Sequence, residues 1–412
     1  MKILFLYMFP LFGNGSGSFL RELSSELVKR GHEIGVVAPD NRKIPGVKSF
    51  EIKGNVQGVF VGHPEWPNAK KFEKMTGEEI GKIFSIYLEN SLEAVEEFKP
   101  NLVHAFHTAF LPAVARVIKV LYGTRYIITT HGSDLEHVSR DRRWIGLIND
   151  ANRIARHITA NSDFTKKWYL ALFGQELKRK TSVIVGGVNL SHYKRDDEDI
   201  AKINRKYNLT GKKVVLFTGR LTKQKGVIYL VRAAQITPSA IFLIVGDGPS
   251  RKTIEEEIKR RGIKNVVMAG YVPNTSHLFH AFYERADVYV SPSVWDEPLG
   301  LTILEAMAAR TPVVATRKGG VLSIITDKVN GILIRPRNTE EIAKNLQMLL
   351  SDHNLRVKLG DQAFKTVVEK FSWGKIAQKF EKIYDDIVAK EKKSKPSPID
   401  EVIKHIFLGE KE

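Results

Sequence analysis

The 412-residue chain has no cysteine, which removes disulfides, thiolate metal sites and cysteine nucleophiles together. It has no apolar run near the ~20 residues that a membrane-spanning helix needs. A His-Glu-x-x-His pair, a Walker lysine loop and a Gly-x-Ser-x-Gly elbow are also missing, and with them the sequence signs of zinc hydrolysis, P-loop chemistry and serine acyl transfer. The acidic cluster that resembles a metal-binding Asp-x-Asp, Asp196-Asp-Glu-Asp199, stands at an expected helix start, where acidic groups complement the dipole. A reaction independent of metal and of any bound cofactor is the expectation.

What the chain has in excess is positive charge: Lys and Arg total 64 against 46 Asp and Glu, a net +18. Both halves are basic, so this is not one nucleic-acid-binding tail, and no nucleic-acid partner is expected. Anionic partners such as diphosphates or acidic lipids suit such a surface. The opening Met1–Phe12, a lysine and an apolar stretch before small residues, shares features with signal peptides. It reads instead as a buried first strand running into a glycine loop and helix, which points to a cytoplasmic protein.

Short apolar runs alternate with helical-period segments along most of the chain, the pattern of a parallel α/β sheet. Expected strands in the first half are Lys2–Tyr7, Glu33–Ala38, Leu102–Phe106, Tyr126–Thr130, His157–Ala160 and Ser182–Val185. Helices are expected over Phe19–Arg30, Gly77–Phe98, Ala109–Tyr122, Trp144–Arg156 and Phe164–Phe173, with Thr76 and Glu79 as a capping box. Lys48–Ile52 and Val56–Gly62 read as an inserted hairpin or strand pair. After a polar pause the series restarts with Lys213–Phe217, Ile241–Val245, Val266–Ala269, Val288–Val290 and Pro312–Ala315. This divides the chain into a domain over 1–190, a second over 191–371, an amphipathic helix over 372–390 and a charged tail over 391–412. Two such sheets place a ligand cleft between them, at the carboxyl ends of their strands.

Four stretches carry chemistry. Gly300 opens a helix after the strand Val288–Val290, and free backbone amides at that helix start form an anion site suited to a diphosphate. Glu297 and Glu305 flank it; like charges repel, so sugar and ribose hydroxyls are their natural partners. Gly219, Arg220 and Lys225 follow a strand, where a guanidinium and an ammonium can neutralise a leaving diphosphate. The loop Phe12-Gly-Asn-Gly-Ser-Gly-Ser18, with Gly15 and Gly17, departs from the dinucleotide fingerprint and reads as a loop closing over an anionic ligand. His107 and the cluster Thr130-His-Gly-Ser-Asp134, with His131 and Asp134, end two strands; each histidine there fits a sugar hydroxyl or a local hydrogen bond.

Together with Val245-Gly-Asp-Gly-Pro249, Ala269-Gly-Tyr-Val272, Ser291-Pro-Ser293, Gly319-Gly320 and Phe371-Ser-Trp373, this ordered set resembles glycosyltransferase family 4. The resemblance implies an α/β protein of the GT-B fold, two Rossmann-like domains facing across a cleft, and retaining transfer of a hexose from a nucleotide-diphosphate sugar to a sugar or lipid-linked hydroxyl. It implies that Arg220 and Lys225 grip the diphosphate, Glu305 the ribose and Glu297 the transferred sugar, with amides at Gly300 to Thr302 assisting. Gly15 or Gly17 would approach the diphosphate from the acceptor-side first domain, His131 would line the sugar site, and the last helix would cross back to that domain. A front-face departure within an ion pair is the mechanism implied. Leu299 stands where the family more often has phenylalanine, and Arg310 where it usually has glycine. Two alternatives stay open: a nucleotide-sugar 2-epimerase on the same fold, and a non-catalytic sugar- or polyanion-binding module. The basic runs Arg140-Asp-Arg-Arg143, Lys166-Lys167 and Lys178-Arg-Lys180, near Trp144, Trp168, Tyr169, Leu172 and Phe173, suggest peripheral contact with an acidic membrane at its inner face.

Overall fold

A computed structural model describes residues 1–392 apart from 61, 64, 274 and 275; the expected charged tail falls outside the described residues from 393 on. The first half contributes β1 (Lys2–Leu6), β2 (Glu33–Ala38), β3 (Val47–Glu51), the short β4 (Gly58–Val59) and β5 (Lys70–Lys71), then β6 (Leu102–Phe106), β7 (Arg125–Thr130), β8 (His157–Ala160) and β9 (Thr181–Val183). Its helices are α1 (Gly15–Lys29), α2 (Gly77–Phe98), α3 (Leu111–Tyr122), α4 (Ser133–Arg140), α5 (Arg143–Ile154) and α6 (Asp163–Phe173). The second half adds α7 (Asp197–Tyr207), α8 (Val227–Ile236), α9 (Arg251–Arg261), α10 (His277–Arg285), α11 (Leu301–Ala308), α12 (Thr339–Ser351), α13 (His353–Lys370) and α14 (Trp373–Lys392). Its strands are β10 (Lys213–Thr218), β11 (Ala240–Val245), β12 (Val266–Gly270), β13 (Val288–Ser291), β14 (Val313–Thr316) and β15 (Ile332–Ile334).

Seven strands form one sheet in the order β3-β2-β1-β6-β7-β8-β9, and six form another in the order β12-β11-β10-β13-β14-β15. Every pairing within them is parallel. Central strands such as β1 and β10 are near-continuous apolar runs because helices cover both faces of a parallel sheet. In a parallel sheet all strand–helix turns leave from one edge, so both sheets put their functional loops at their carboxyl edges.

Two local expectations are corrected. Residues 47–51 do not pair with 56–62 as a hairpin; β3 extends the main sheet beside β2, and β4 pairs with β5 in a separate two-stranded ribbon. Helix α1 begins at Gly15, four residues before the expected start, because the Asn14 side chain accepts from the Gly17 amide at 2.7 Å and caps it. The glycine loop is thus the first turn of the helix. The capping box at Thr76 and Glu79 is present in full.

Chain order alone would assign α14 to the second half, yet Trp373, Ile376, Phe380, Tyr384 and Ile387 belong to the first core. The Tyr384 hydroxyl lies 2.8 Å from Nδ1 of the buried His104, and Arg125 donates to the Ile387 carbonyl at 2.6 Å. Glu381 accepts from Arg30 at 2.6 Å and pairs with His32 at 2.9 Å. The outgoing and returning crossings run side by side, with the Val188 amide donating to the Phe371 carbonyl at 2.9 Å. Because Phe380 is fully buried, Phe380→Ala is expected to destabilise the first half by about 3–5 kcal/mol; urea unfolding followed by tryptophan fluorescence measures it.

Candidate active site

A cavity of about 700 Å³ lies between the two carboxyl edges. Phe9, Asn14 and Ser16 after β1, His107 after β6 and Ser133 after β7 form one wall; Gly219 and Arg220 after β10, Gly246 to Gly248 after β11 and Thr302 in α11 form the other. Gly15 sits where a Cβ would be 3.1 Å from the Leu301 side chain, so the N-termini of α1 and α11 face each other. No side chain caps α11, whose N-cap Gly300 has φ 94°. Its first amides are therefore open to a ligand.

Arg220 is exposed and reaches across the cleft to the Gly62 carbonyl at 3.1 Å. Lys225 ends a short 3-10 turn, and Gly226 (φ 65°) follows it where a Cβ would lie 2.1 Å from the Pro292 carbonyl oxygen; only glycine allows that approach. The turn brings the Lys225 ammonium onto the carboxylate of buried Glu297, which also accepts from Ser293 at 2.9 Å. Burial alone would raise the Glu297 pKa, but the Lys225 charge and these hydrogen bonds hold it below the usual value. Glu305 goes the other way: burial raises its pKa, although it accepts from the Tyr283 hydroxyl at 2.5 Å. Tyr283 in turn lies 2.6 Å from Thr218. Glu305 and Leu301 line a smaller cavity of about 90 Å³ beside α1 and the crossing chains, not the main one.

In the first half, Gly17 does not face the cleft; a Cβ there would sit 2.4 Å from the Leu11 carbonyl oxygen. Asp134 is fully buried and spends both oxygens on the fold, accepting from the amides of Thr108 (2.6 Å), His131 (3.1 Å) and Gly132 (2.7 Å) and from the Thr130 hydroxyl (2.9 Å). It has no acceptor capacity left for a substrate, so its role is to shape the turn after β7. His107, at φ 71°, lines the cavity and lies 3.1 Å from the Ser16 hydroxyl. His131 does not line it; its ring is 4.8 Å from that of His107 and edge-on to Phe19.

The structure also shows participants that the sequence reading passed over. Tyr7, Asn14 and Ser16 form a hydrogen-bonded triangle of 2.8 to 2.9 Å edges, and Asn14 reaches His63 at 2.8 Å. The Asn-Gly-Ser run after a strand was the available signal. Of the two departures, Leu299 is buried. Arg310 occupies the left-handed region (φ 58°), where glycine is easiest. Its guanidinium lies on the outer face, paired with Asp361 at 2.5 Å and over Phe364 at 4.0 Å. It does not line the cavity. Among the described residues no group of three or more His, Cys, Asp or Glu could hold a metal ion.

Residues 199–366 match the model for glycosyl transferases group 1, and residues 13–192 match that for glycosyltransferase family 4. The chain belongs to the family-4-like GT-B glycosyltransferases. It is 29% identical over 398 residues to an uncharacterized glycosyltransferase of Methanocaldococcus jannaschii, covering 91% of this chain and 95% of the relative. It is 26% identical over 396 residues to the N-acetyl-alpha-D-glucosaminyl L-malate synthase of Bacillus anthracis, covering 92% and 96%. The fold is that of sucrose-phosphate synthase from Thermosynechococcus elongatus (TM-score 0.76, 21% identity, 94% and 99% covered) and of Anabaena HepE in complex with UDP (0.71, 21%, 94% and 100%).

Burial depresses the pKa of six first-half histidines: His63, His104 and His107 fall below the usual value, and His131, His137 and His157 fall to about 4. Unfolded, each titrates near ~6.5, so between pH ~4 and ~6.5 the unfolded glycosyltransferase binds more protons than the folded one. Stability therefore rises with pH across that window and is lost on acidification, by up to about 1.4 kcal/mol per pH unit for each such histidine. The urea midpoint is expected to fall between pH 7 and pH 5. An unchanged midpoint would mean that these rings carry protons in the fold.

Proposed function

We propose that this glycosyltransferase moves a hexose from a nucleoside-diphosphate sugar to a hydroxyl of a sugar or glycolipid, with retention and without a metal ion. The observation that carries this reading is the meeting of two helix N-termini, α1 and α11, beside Arg220 at the cleft. Two positive dipole ends and a guanidinium converging from different domains suit a bridging diphosphate. The UDP held by Anabaena HepE at the same fold supports that donor class.

In this reading Arg220 and Lys225 take up the charge that grows on the leaving diphosphate. Lys225 has three donors, so it can keep Glu297 ionised and oriented while contacting phosphate. Glu297 then accepts from hydroxyls of the transferred hexose. Glu305 keeps one oxygen free of hydrogen bonds among the described residues, and that oxygen is available to the ribose. Asp247 is the one carboxylate lining the cavity among the described residues; it belongs to the second half and pairs with Arg251 at 2.9 Å. Among the described residues that line the acceptor-side wall there is no carboxylate to form a glycosyl-enzyme bond. This supports a front-face path, in which the bond from sugar carbon to diphosphate oxygen breaks and the acceptor oxygen bonds the same face. The acceptor proton passes to the departing phosphate oxygen.

We place the protein in the cytoplasm. Among the described residues no helix is long and apolar enough to cross a membrane. The expected membrane anchors Trp144, Tyr169 and Phe173 are buried in the core. Of the basic groups, Lys166 donates to the Thr181 carbonyl, Lys180 to the Ala155 carbonyl at 2.9 Å, and Arg140 to Glu136 at 2.5 Å. Peripheral contact with acidic lipid would rest on charge alone, through groups such as Lys167, Lys178 and Arg179.

Arg220→Ala is expected to lower kcat/KM about 10²–10³-fold with an unchanged melting temperature. Lys225→Ala is expected to cost about 3–5 kcal/mol of stability besides activity, because it strands a buried carboxylate. Adding Glu297→Gln to it should restore the melting temperature but not transfer. UDP, GDP or ADP at about 100 times its dissociation constant should stabilise the protein by about 2.7 kcal/mol. Failure of all three to raise the melting temperature would overturn the donor reading, as NMR showing an inverted anomeric product would overturn retention. Transfer should persist in EDTA, and its complete loss with recovery on adding magnesium would refute metal independence.

A further inference from the structure

The two walls of the cleft differ in charge. Arg220, Asp247 and the α11 N-terminus all belong to the second half. The first-half wall has no charged side chain among the described residues that line it. It is built on Phe9, Val59, Phe60, His63 and His107, with Ser133 at its edge. Phe9 packs edge-on to Phe60 at 5.2 Å and face-to-face with His63 at 6.3 Å; His107 lies 5.1 Å from Phe9. Both nitrogens of His63 are within hydrogen-bond reach of first-half groups, the Asn14 side chain (2.8 Å) and the Glu65 amide (3.2 Å). Burial lowers the pKa of both His63 and His107, which keeps the two rings neutral at pH 7.

Arg220 of the opposite wall reaches the Gly62 carbonyl at 3.1 Å, and the first-half cations beside the wall are committed elsewhere. Arg42 pairs with Asp40 and Glu65, each at 2.6 Å, and Arg21 donates to the Leu11 carbonyl and the Ser18 hydroxyl. The two guanidiniums flank Phe12, each 4.1 Å from its centroid, and neither lines the cavity. An anionic acceptor seated against the wall would lose water without gaining a counter-charge, which is strongly unfavourable. Arg220 does not supply one if it grips the donor.

We infer that the acceptor's binding moiety is uncharged and presents an apolar face, a neutral glycoside and not a sugar acid, sugar phosphate or hydroxy acid, with Phe9, Phe60 and His63 as its platform. The inference rests on the reading of the opposite wall as the nucleotide-sugar site. Aromatic faces that exclude water and a hydroxyl partner, here Ser133, are the usual make-up of such a pocket.

The test uses the full chain and whichever of UDP-, GDP- or ADP-hexose it accepts. Acceptors are matched pairs: aryl and alkyl glycosides of the gluco, galacto and manno series, and the corresponding uronides, which differ only by a C6 carboxylate. kcat/KM is expected to be at least tenfold higher for the neutral member of a pair. His63→Arg and, in case that ring is needed for folding, Ser133→Lys should each shift the ratio toward the uronide at least tenfold, with melting temperatures recorded for both. Equal or better transfer to the uronide by the unaltered protein overturns the inference, as does transfer to neither member of any pair while a nucleoside diphosphate still binds. If no nucleoside diphosphate binds at all, the donor reading fails first and the inference falls with it.

Discussion

The site depends on one constraint: two parallel sheets, each with its loops at one edge, must be held so that those edges face each other. Neither sheet can impose this on the other, since each buries its strands under its own helices. The chain meets the constraint by crossing twice in one place, where Val188 and Phe371 share a backbone hydrogen bond. It then sends α14 back along α1, with Trp373 and Phe380 edge-on to Phe19 at 5.2 and 6.0 Å. Phe19 belongs to the same helix whose first turn faces α11. Packing at the back of the cleft is therefore mechanically continuous with the anion site at its front.

Within that frame the ionised groups at the site are settled before any ligand arrives. Glu297 has Lys225 and Ser293, and Asp134 has three amides and a hydroxyl. A buried charge that is fully paired is fixed in place, which suits a cleft that must orient hydroxyls precisely in space. Arg220 and the uncapped first amides of α11 are left with electrostatic capacity to spare. Both belong to the second half's side of the cleft. The aromatic wall opposite has no charged side chain among the described residues that line it, so the two walls offer different physics, charge on one and desolvation on the other.

The sheets were legible because apolar runs of strand length are a local signal, and so was α11, whose glycine and following apolar helix declare its start. The pairing of Lys225 with Glu297 was not, because 72 residues separate them and only the fold brings them together. The segment Val56–Gly62, which carries Phe60, reads in sequence as a hairpin or strand pair with Lys48–Ile52, and the two do not pair. Its strand β4 and the β5 beside it are each two residues long, too short for alternation to reveal their partner or face. Asp134 looked like a ligand because it ends a polar cluster at a strand end. Its occupation by backbone amides is visible only once the turn after β7 is built.

The basic runs show why charge counts mislead about binding. Arg143 pairs with Asp141 at 2.6 Å and also donates to the carbonyls of Phe72 and Met75, at 3.3 and 2.9 Å. Phe72 is buried beneath Phe60, 5.6 Å away. Arg143 thus clamps the base of the very segment that presents the aromatic wall to the cleft. A guanidinium has five donors in a preorganised fork, so it can hold several acceptors at once. Lys166 and Lys180 are used in the same way, on the carbonyls of Thr181 and Ala155. What the composition presents as an affinity for anions outside the molecule is in part the means by which a short, irregular, uncharged surface is held still.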